Sequence, residues 1–412
     1  MPPARPRLLF LSQCLPYPPT SGVTNRTYHI LRELQRTFEV SLVPFSRRSH
    51  QPDAATRASA HEALSRTLTV VAEPIPVPTE RSSWSKLAAH LRSVLSGEVY
   101  VKFEYAAAAF GEQLDTAVRA SPPDLVHLDS LDLQGWMHRV GSAPIACTHH
   151  SIESDLLRLR GRHHGVPLLR PYYQLQATRY LALERKWSPF FASNVMMSEL
   201  DAERLRSIAP GARTVAIPNG VDLEAIKPGH ESEVEDEVIA FLGPAYMYPN
   251  RDGMEYFFAE IWPLVLRARP SANLIWIGRI ADSDRARFER HHGVRCAGFV
   301  EDLERQLAAA ACLVVPLRIG GGTRLKILDA WAAGKAVVST TVGCEGLDTE
   351  EGTNILIRDE PHAFAEAIVR VLGDRGLRRG LGAAARRTVE TTYGWTAIGE
   401  KLNREYRKLL GG

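Results

Sequence analysis

Short runs of Val, Ile and Leu recur along this chain at intervals of roughly twenty or thirty residues, with amphipathic stretches between them. The first seven are RLLFLSQ, VSLVPF, LTVVAEPIPV, LVHLD, PIACTH, NVMMS and TVAIPNG. Six more follow the acidic polar stretch GHESEVEDE: VIAFLG, NLIWIG, VRCAGFV, CLVVPL, AVVSTTV and NILI. Runs this continuous belong to strands buried on both faces, and the helical patterns between them predict βαβ units in parallel sheets.

A chain of 412 residues exceeds what one core usually supports. The break between the two series, at about 218–236, divides it into domains 1–220 and 221–393. The fold class expected is α/β, with two Rossmann-like doubly wound domains facing each other across a cleft. In such sheets ligands bind beyond the carboxyl ends of the strands, so that cleft is the default active site. The dipeptide Asn219-Gly220 favours a tight turn at the boundary. The tail reads as three helices, broken around Gly373 and around Tyr393-Gly394-Trp395. Apolar residues at 45% and charged residues at 24% argue against extensive disorder, and a net charge of +3 is too small to imply nucleic acid. The five cysteines, at 14, 147, 296, 312 and 344, form no CxxC pair and accompany no His cluster at zinc spacing, which fits a reduced, cytoplasmic setting. The N-terminal run RLLFL is far too short for a signal segment or a membrane span.

The segment RIGGGTRLKILDAWAAGK (318–335) sets three glycines and two cations before a carboxylate. It follows the strand pattern CLVVPL, and the helix pattern starts at Thr323, a side chain suited to an N-cap. Arg324 and Lys326 then fall in the first helical turn, where the exposed N–H groups and the helix dipole disfavour cations by about 0.3–1 kcal/mol each. A bound anion relieves that penalty: Gly320, Gly321 and Gly322 let the backbone approach it, and the two side chains close around it. Asp329 shares a helix face with Leu325, Leu328 and Ala332, where a carboxylate is costly unless bonded. Two partners are open to it, Lys326 three residues earlier or the hydroxyls of a ribose or sugar beside a phosphate. The plainer account is a surface helix with an i,i+3 ion pair after a loose glycine loop.

PLRIGGGTRLKILDAWAAGKAVVSTTVGCEGL resembles the donor-binding segment of the retaining, GT-B-fold glycosyltransferases of glycosyltransferase family 4. FLGPAYMYPNRDGMEYFFAEIWPLV (241–265), LIWIGR (274–279), GFVEDLERQLAAAACLVVP (298–316) and PNGVD (218–222) resemble the same family in the same order. The first half is similar more loosely, through LFLSQCLPYPPTSGVTNRTYHIL and CTHHSIES, to sugar transferases of bacterial polysaccharide gene clusters. The resemblance implies a nucleotide-sugar donor held mainly by the second domain and an acceptor held mainly by the first. It places Arg324 and Lys326 at the diphosphate, with the Gly320–Thr323 loop beside it. Asp329 stands at the second acidic position of the E-x7-E signature, which reaches the ribose, although it is one methylene shorter than Glu. The first acidic position falls at Gly321, so backbone N–H groups of the glycine loop take the place of a carboxylate there. His150 matches the active-site histidine that bonds the donor sugar, with His149, Glu153 and Asn250 in support. Gly22 is either where the backbone approaches the diphosphate or a turn glycine. The segment YGWTAIGEKLNREYRKLL resembles the helix, 394–411, with which this fold crosses back onto the first domain. Its Trp395, Ile398, Leu402 and Tyr406 follow helical spacing.

These features imply a hexosyltransferase-type enzyme that moves a sugar from a nucleotide diphosphate-sugar to a glycan, lipid-linked or small-molecule acceptor, with retention. No cofactor and no essential metal are expected, since Asp282-Ser283-Asp284 spells DxD but opens a helix pattern as an N-cap would. The segment 158–187 carries seven Lys/Arg against one Glu with interleaved tyrosines. It is either a solvated face or a peripheral contact with an anionic membrane on its inner face. Two other functions share this fold. One is a nucleotide-sugar epimerase, which the missing acid at Gly321 counts against; the other is a noncatalytic module that binds a glycan or partner.

Overall fold

Each apolar run contains strand in the computed structural model, which describes residues 4–163, 166–230, 233–300, 302–320 and 324–411. The first series gives β1 (Arg7–Ser12), β2 (Glu39–Ser46), β3 (Val70–Val71), β4 (Ile75–Pro76), β5 (Leu125–Leu128), β6 (Ile145–His149), β7 (Ser193–Met196) and β8 (Thr214–Ala216). They form one parallel sheet in the order β3-β2-β1-β5-β6-β7-β8, with β4 also beside β2. The run LTVVAEPIPV, read as a single strand, is two short ones. Pro74 and Pro76 have no N–H for a ladder, so pairing with β2 lapses after Ala72 and resumes at Ile75.

The second series gives β9 (Glu235–Leu242), β10 (Asn273–Ile277), β11 (Val294–Gly298), β12 (Ala310–Val315), β13 (Ala336–Ser339) and β14 (Leu356–Ile357). Their order, β11-β10-β9-β12-β13-β14, is that of a Rossmann sheet, and every pair is parallel. Side chains alternate between two buried faces. Ile239 and Phe241 join Trp262, Trp276 and Phe364 on one side, while Ala240 and Leu242 join Leu328, Trp331 and Tyr393 on the other. With both faces covered by helices, the strands have no need of polar residues, which is why they read as unbroken apolar runs.

Contacts divide the chain into two units, Met1–Pro218 with Gly399–Gly412, and Asn219–Ile398. No turn forms at Asn219-Gly220. Val221 N–H instead donates to the Tyr393 carbonyl at 2.8 Å, and Gly220 lies so close to Trp395 that a Cβ would come within 2.6 Å of the ring. The tail forms the helices Pro361–Gly373, Arg375–Thr388 and Trp395–Leu409. Asp374 separates the first two and caps the second by accepting from Leu377 N–H at 2.9 Å. Trp395, Ile398, Leu402 and Tyr406 are all buried. Within the first unit, Tyr406 packs edge-on to Phe38 and its hydroxyl meets His127 Nδ1, while Asn403 donates to the Glu33 carbonyl at 3.1 Å.

Helix Arg375–Thr388 rests on the turn that precedes β13: a Cβ on Gly382 would overlap the Gly334 carbonyl oxygen. Backbone cannot yield there as a flexible side chain would. Gly382→Ala is therefore expected to destabilise by about 1–3 kcal/mol, measured as a lower urea midpoint at unchanged m-value. An unchanged midpoint would show that the turn gives way freely.

Candidate active site

In both sheets the strand order reverses at one place, between β1 and β5 and between β9 and β12. Crevices at such reversals are where doubly wound sheets receive ligands, and most of the residues expected to be functional gather at one or the other. Gly321, Gly322 and Thr323 lie outside the described residues.

In the second unit the helix after β12 spans Leu325–Ala332, and Arg324 occupies its N-cap position. The start expected at Thr323 is thus too early: residue 324 has the non-helical backbone of a cap (φ −83°, ψ 68°), so Arg324 precedes the first turn. Its buried guanidinium donates through Nη2 to the Val342 carbonyl at 2.8 Å and lies 3.8 Å from Glu345. Gly320 packs against the same group, where a Cβ would sit 2.7 Å from Nη1. Arg318 is committed elsewhere, forked onto Asp252 at 3.1 and 2.8 Å and stacked over Tyr256.

Lys326 does not pair with Asp329. Its ammonium donates to Asn250 Oδ1 at 2.6 Å and sits 4.4 Å from the centre of the Phe241 ring. Asn250, buried in helix Tyr248–Tyr256, donates in turn to the Pro244 carbonyl at 3.0 Å. That arrangement needs a glycine at 243, where φ is +140° and a Cβ would come within 2.5 Å of Asn250 Nδ2. Both partners of Lys326 are uncharged, so its charge has no carboxylate against it among the described residues. Burial first, and Arg324 second, push its pKa down to about 7. Asp329 is partly buried, and its carboxylate has no hydrogen bond or ion pair among the described residues; burial pushes it up to about 7. Of the two partners open to Asp329, Lys326 is taken.

In the first unit, His149 and His150 divide their roles. His149 ends β6, is buried and bonds through Nε2 to Asn194 Oδ1 at 2.9 Å; burial pushes it down to about 4. That is a neutral, structural histidine. His150, the next residue, is partly exposed, and its Nε2 has no hydrogen-bond partner among the described residues, standing 3.6 Å from Asp129 Oδ1. Asp129, absent from the residues singled out in the sequence, follows β5. Through Oδ2 it accepts from Ser12 Oγ at 3.0 Å and from Thr27 Oγ1 at 2.9 Å. The signal for it was a carboxylate at the carboxyl end of a buried strand, in LVHLDS. Glu153 opens helix Glu153–His163 and accepts from Ser151 Oγ at 2.8 Å; burial raises its pKa, against that bond. Gly22 is the first residue of helix Gly22–Leu34 rather than a loop residue, and it follows the N-cap Ser21.

Asp282 does not cap its helix. Ala281 holds the N-cap position, with Asp282 and Asp284 in the first turn and Asp284 paired with Arg251.

The chain superposes over 98% of its length on a solved Anabaena protein, Alr3699/HepE, determined with UDP (TM-score 0.66, 14% identity, all of that chain). It does so over the same share on sucrose-phosphate synthase from Thermosynechococcus elongatus (TM-score 0.70, 18% identity, 99% of that chain). This is the GT-B fold of nucleotide-sugar glycosyltransferases. Residues 20–225, half of the chain, match the model of Glycosyltransferase Family 4, and residues 236–374 match that of Glycosyl transferases group 1. The chain belongs to glycosyltransferase family 4 and is a glycosyltransferase that uses a nucleotide-sugar donor. Among characterised relatives, it is 24% identical over 305 residues to the phosphatidyl-myo-inositol mannosyltransferase of Mycobacterium tuberculosis, covering 70% of this chain and 74% of that one. An uncharacterised Klebsiella pneumoniae protein from a cps region is 24% identical over 139 residues. That match spans 32% of this chain and only 36% of the Klebsiella protein.

A carboxylate whose pKa burial raises to about 7 has a measurable effect on stability. The unfolded chain releases the Asp329 proton at its ordinary value near 4, so stability falls as pH rises from about 4 to about 7. Asp329→Asn removes that loss. The variant is expected to exceed the parent by about 1–2 kcal/mol near pH 8, after allowing for solvent screening of a partly exposed group, and by little near pH 4. Urea titrations at the two pH values test this; an equal difference at both would mean that the carboxyl is not strained.

Proposed function

We propose that the chain is a retaining transferase that takes a sugar from a nucleoside diphosphate-sugar held by the second unit and passes it to a glycan or lipid-linked acceptor held by the first. The observation that carries the donor side is the presence on one helix of a cation and a carboxylate, Lys326 and Asp329, that have no counter-charge and no partner, respectively, among the described residues. A diphosphate answers the first and ribose hydroxyls the second.

Arg324 and Lys326 stabilise charge on the leaving diphosphate. This is preorganised electrostatics, since the cations are held before substrate arrives: Arg324 by the Val342 carbonyl, Lys326 by Asn250. Binding an anion raises the Lys326 pKa from about 7, so donor binding near neutral pH is accompanied by proton uptake. His150 hydrogen-bonds the donor sugar, and Asp129 orients its ring. His149 and Glu153 hold the backbone on either side of it.

Thermal shifts of the purified protein with UDP and GDP, and with their sugars, test the donor assignment. A ligand at about 100 times its Kd stabilises by about 2.7 kcal/mol. Lys326→Ala is expected to lower turnover by about a hundredfold, or about 3 kcal/mol, and to remove most of the shift. Unchanged turnover and donor affinity in that variant would refute the diphosphate assignment. An inverted anomeric product, seen by NMR, would refute retention, and an epimerised donor formed without acceptor would point to the epimerase.

A further inference from the structure

Helix Ser83–Ser96, SWSKLAAHLRSVLS, in the first unit is turned inside out relative to an ordinary surface helix. At about 100° per residue, Trp84, Leu87, Leu91, Val94 and Leu95 fall within one stripe about 120° wide, and that stripe faces solvent. Trp84 is 79% exposed, Leu95 86% and Leu91 54%, with Leu87 and Val94 also exposed. The face turned to the protein is small and polar instead. Ala89 and Ser93 are buried, Ser93 Oγ accepts from Gln176 Nε2 at 2.8 Å, and the Ser93 carbonyl accepts from Arg179 Nη1 at 2.7 Å. His90 Nδ1 meets the Tyr172 hydroxyl at 2.6 Å. The helix is therefore held down by hydrogen bonds while its hydrophobic side chains point outward. One turn before Tyr172, Val166, Leu168 and Leu169 add further exposed apolar surface, Leu168 at 86%.

From this geometry we infer that helix Ser83–Ser96 is a docking surface for an anionic lipid bilayer. Charge selects that occupant. The helix carries Lys86 and Arg92 and no acid, with Arg92 flanking the apolar stripe, and segment 158–187 beside it has seven Lys/Arg against one Glu. An apolar stripe of Trp and Leu bordered by cations suits a helix lying in the headgroup plane of anionic lipid. For 158–187 the sequence leaves a solvated face and a membrane contact open, and this inference puts the contact on helix Ser83–Ser96 instead. Arg179 is spent on the Ser93, Val94 and Glu98 carbonyls, and Gln176 and Tyr172 bond Ser93 and His90, so that segment also anchors the helix that does the docking. The inference is independent of the donor site.

The test is co-sedimentation of the full chain with phosphatidylcholine vesicles and with vesicles in which about one-third of the lipid is phosphatidylglycerol. The protein is expected to pellet with the second and not with the first, and added salt should weaken the binding. Trp84→Ser combined with Leu95→Ser should weaken partition by about tenfold or more. Both sites are exposed, so the variant's melting temperature should match the parent's and certify the fold. A parent that stays in the supernatant with both vesicles, or a double variant that pellets as the parent does, would overturn the inference. So would a parent that elutes as a dimer and a variant that elutes as a monomer, since the stripe would then be joining two copies. No donor or acceptor enters the assay, so its failure leaves the sugar-transfer reading standing.

Discussion

Covering both faces of each parallel sheet with helices constrains everything else in this protein. Strand interiors become largely apolar, as Phe241 with Trp276 on one face and Leu242 with Trp331 on the other illustrate. Polar chemistry is pushed to the strand ends. There the reversal of strand order opens a crevice in each unit, and the candidate groups stand at the strand ends and on the turns and helices that follow them: Ser12, Asp129 and His150 in one, Asn250, Arg324, Lys326 and Asp329 in the other.

The second crevice is built around charges that are poorly satisfied in the free protein. Lys326 is held by an amide and an aromatic face, both neutral, and Asp329 by nothing among the described residues. Each is pushed toward its uncharged form, the lysine down and the aspartate up, to about 7. On the proposed donor reading, a ligand carrying phosphates and hydroxyls relieves both groups, and the relief becomes binding energy. Arg324 differs, because a carbonyl and Glu345 already hold it in place.

How far the sequence discloses this follows from the range of each interaction. Strands and sheet class were legible because burial on two faces leaves a local pattern. The Lys326–Asn250 bond was not, since it joins residues 76 positions apart and competes with a plausible i,i+3 pair. Caps failed at the level of single residues. Thr323 and Asp282 are good capping side chains, but the position is decided by the backbone of Arg324 and Ala281. Helix Ser83–Ser96 shows a different limit. Periodicity reveals that a stripe exists, but only packing reveals which way it faces.

The attachment of that helix has a consequence for how the molecule can change. Its inward face is fastened by Ser93, Gln176, Arg179 and His90, none of which belongs to the outward stripe. Substitutions at Trp84, Leu87, Leu91 or Leu95 therefore alter neither the anchoring bonds nor the crevice residues. The outward stripe can be rewritten one side chain at a time, at almost no cost to folding, while the crevice residues stay as they are.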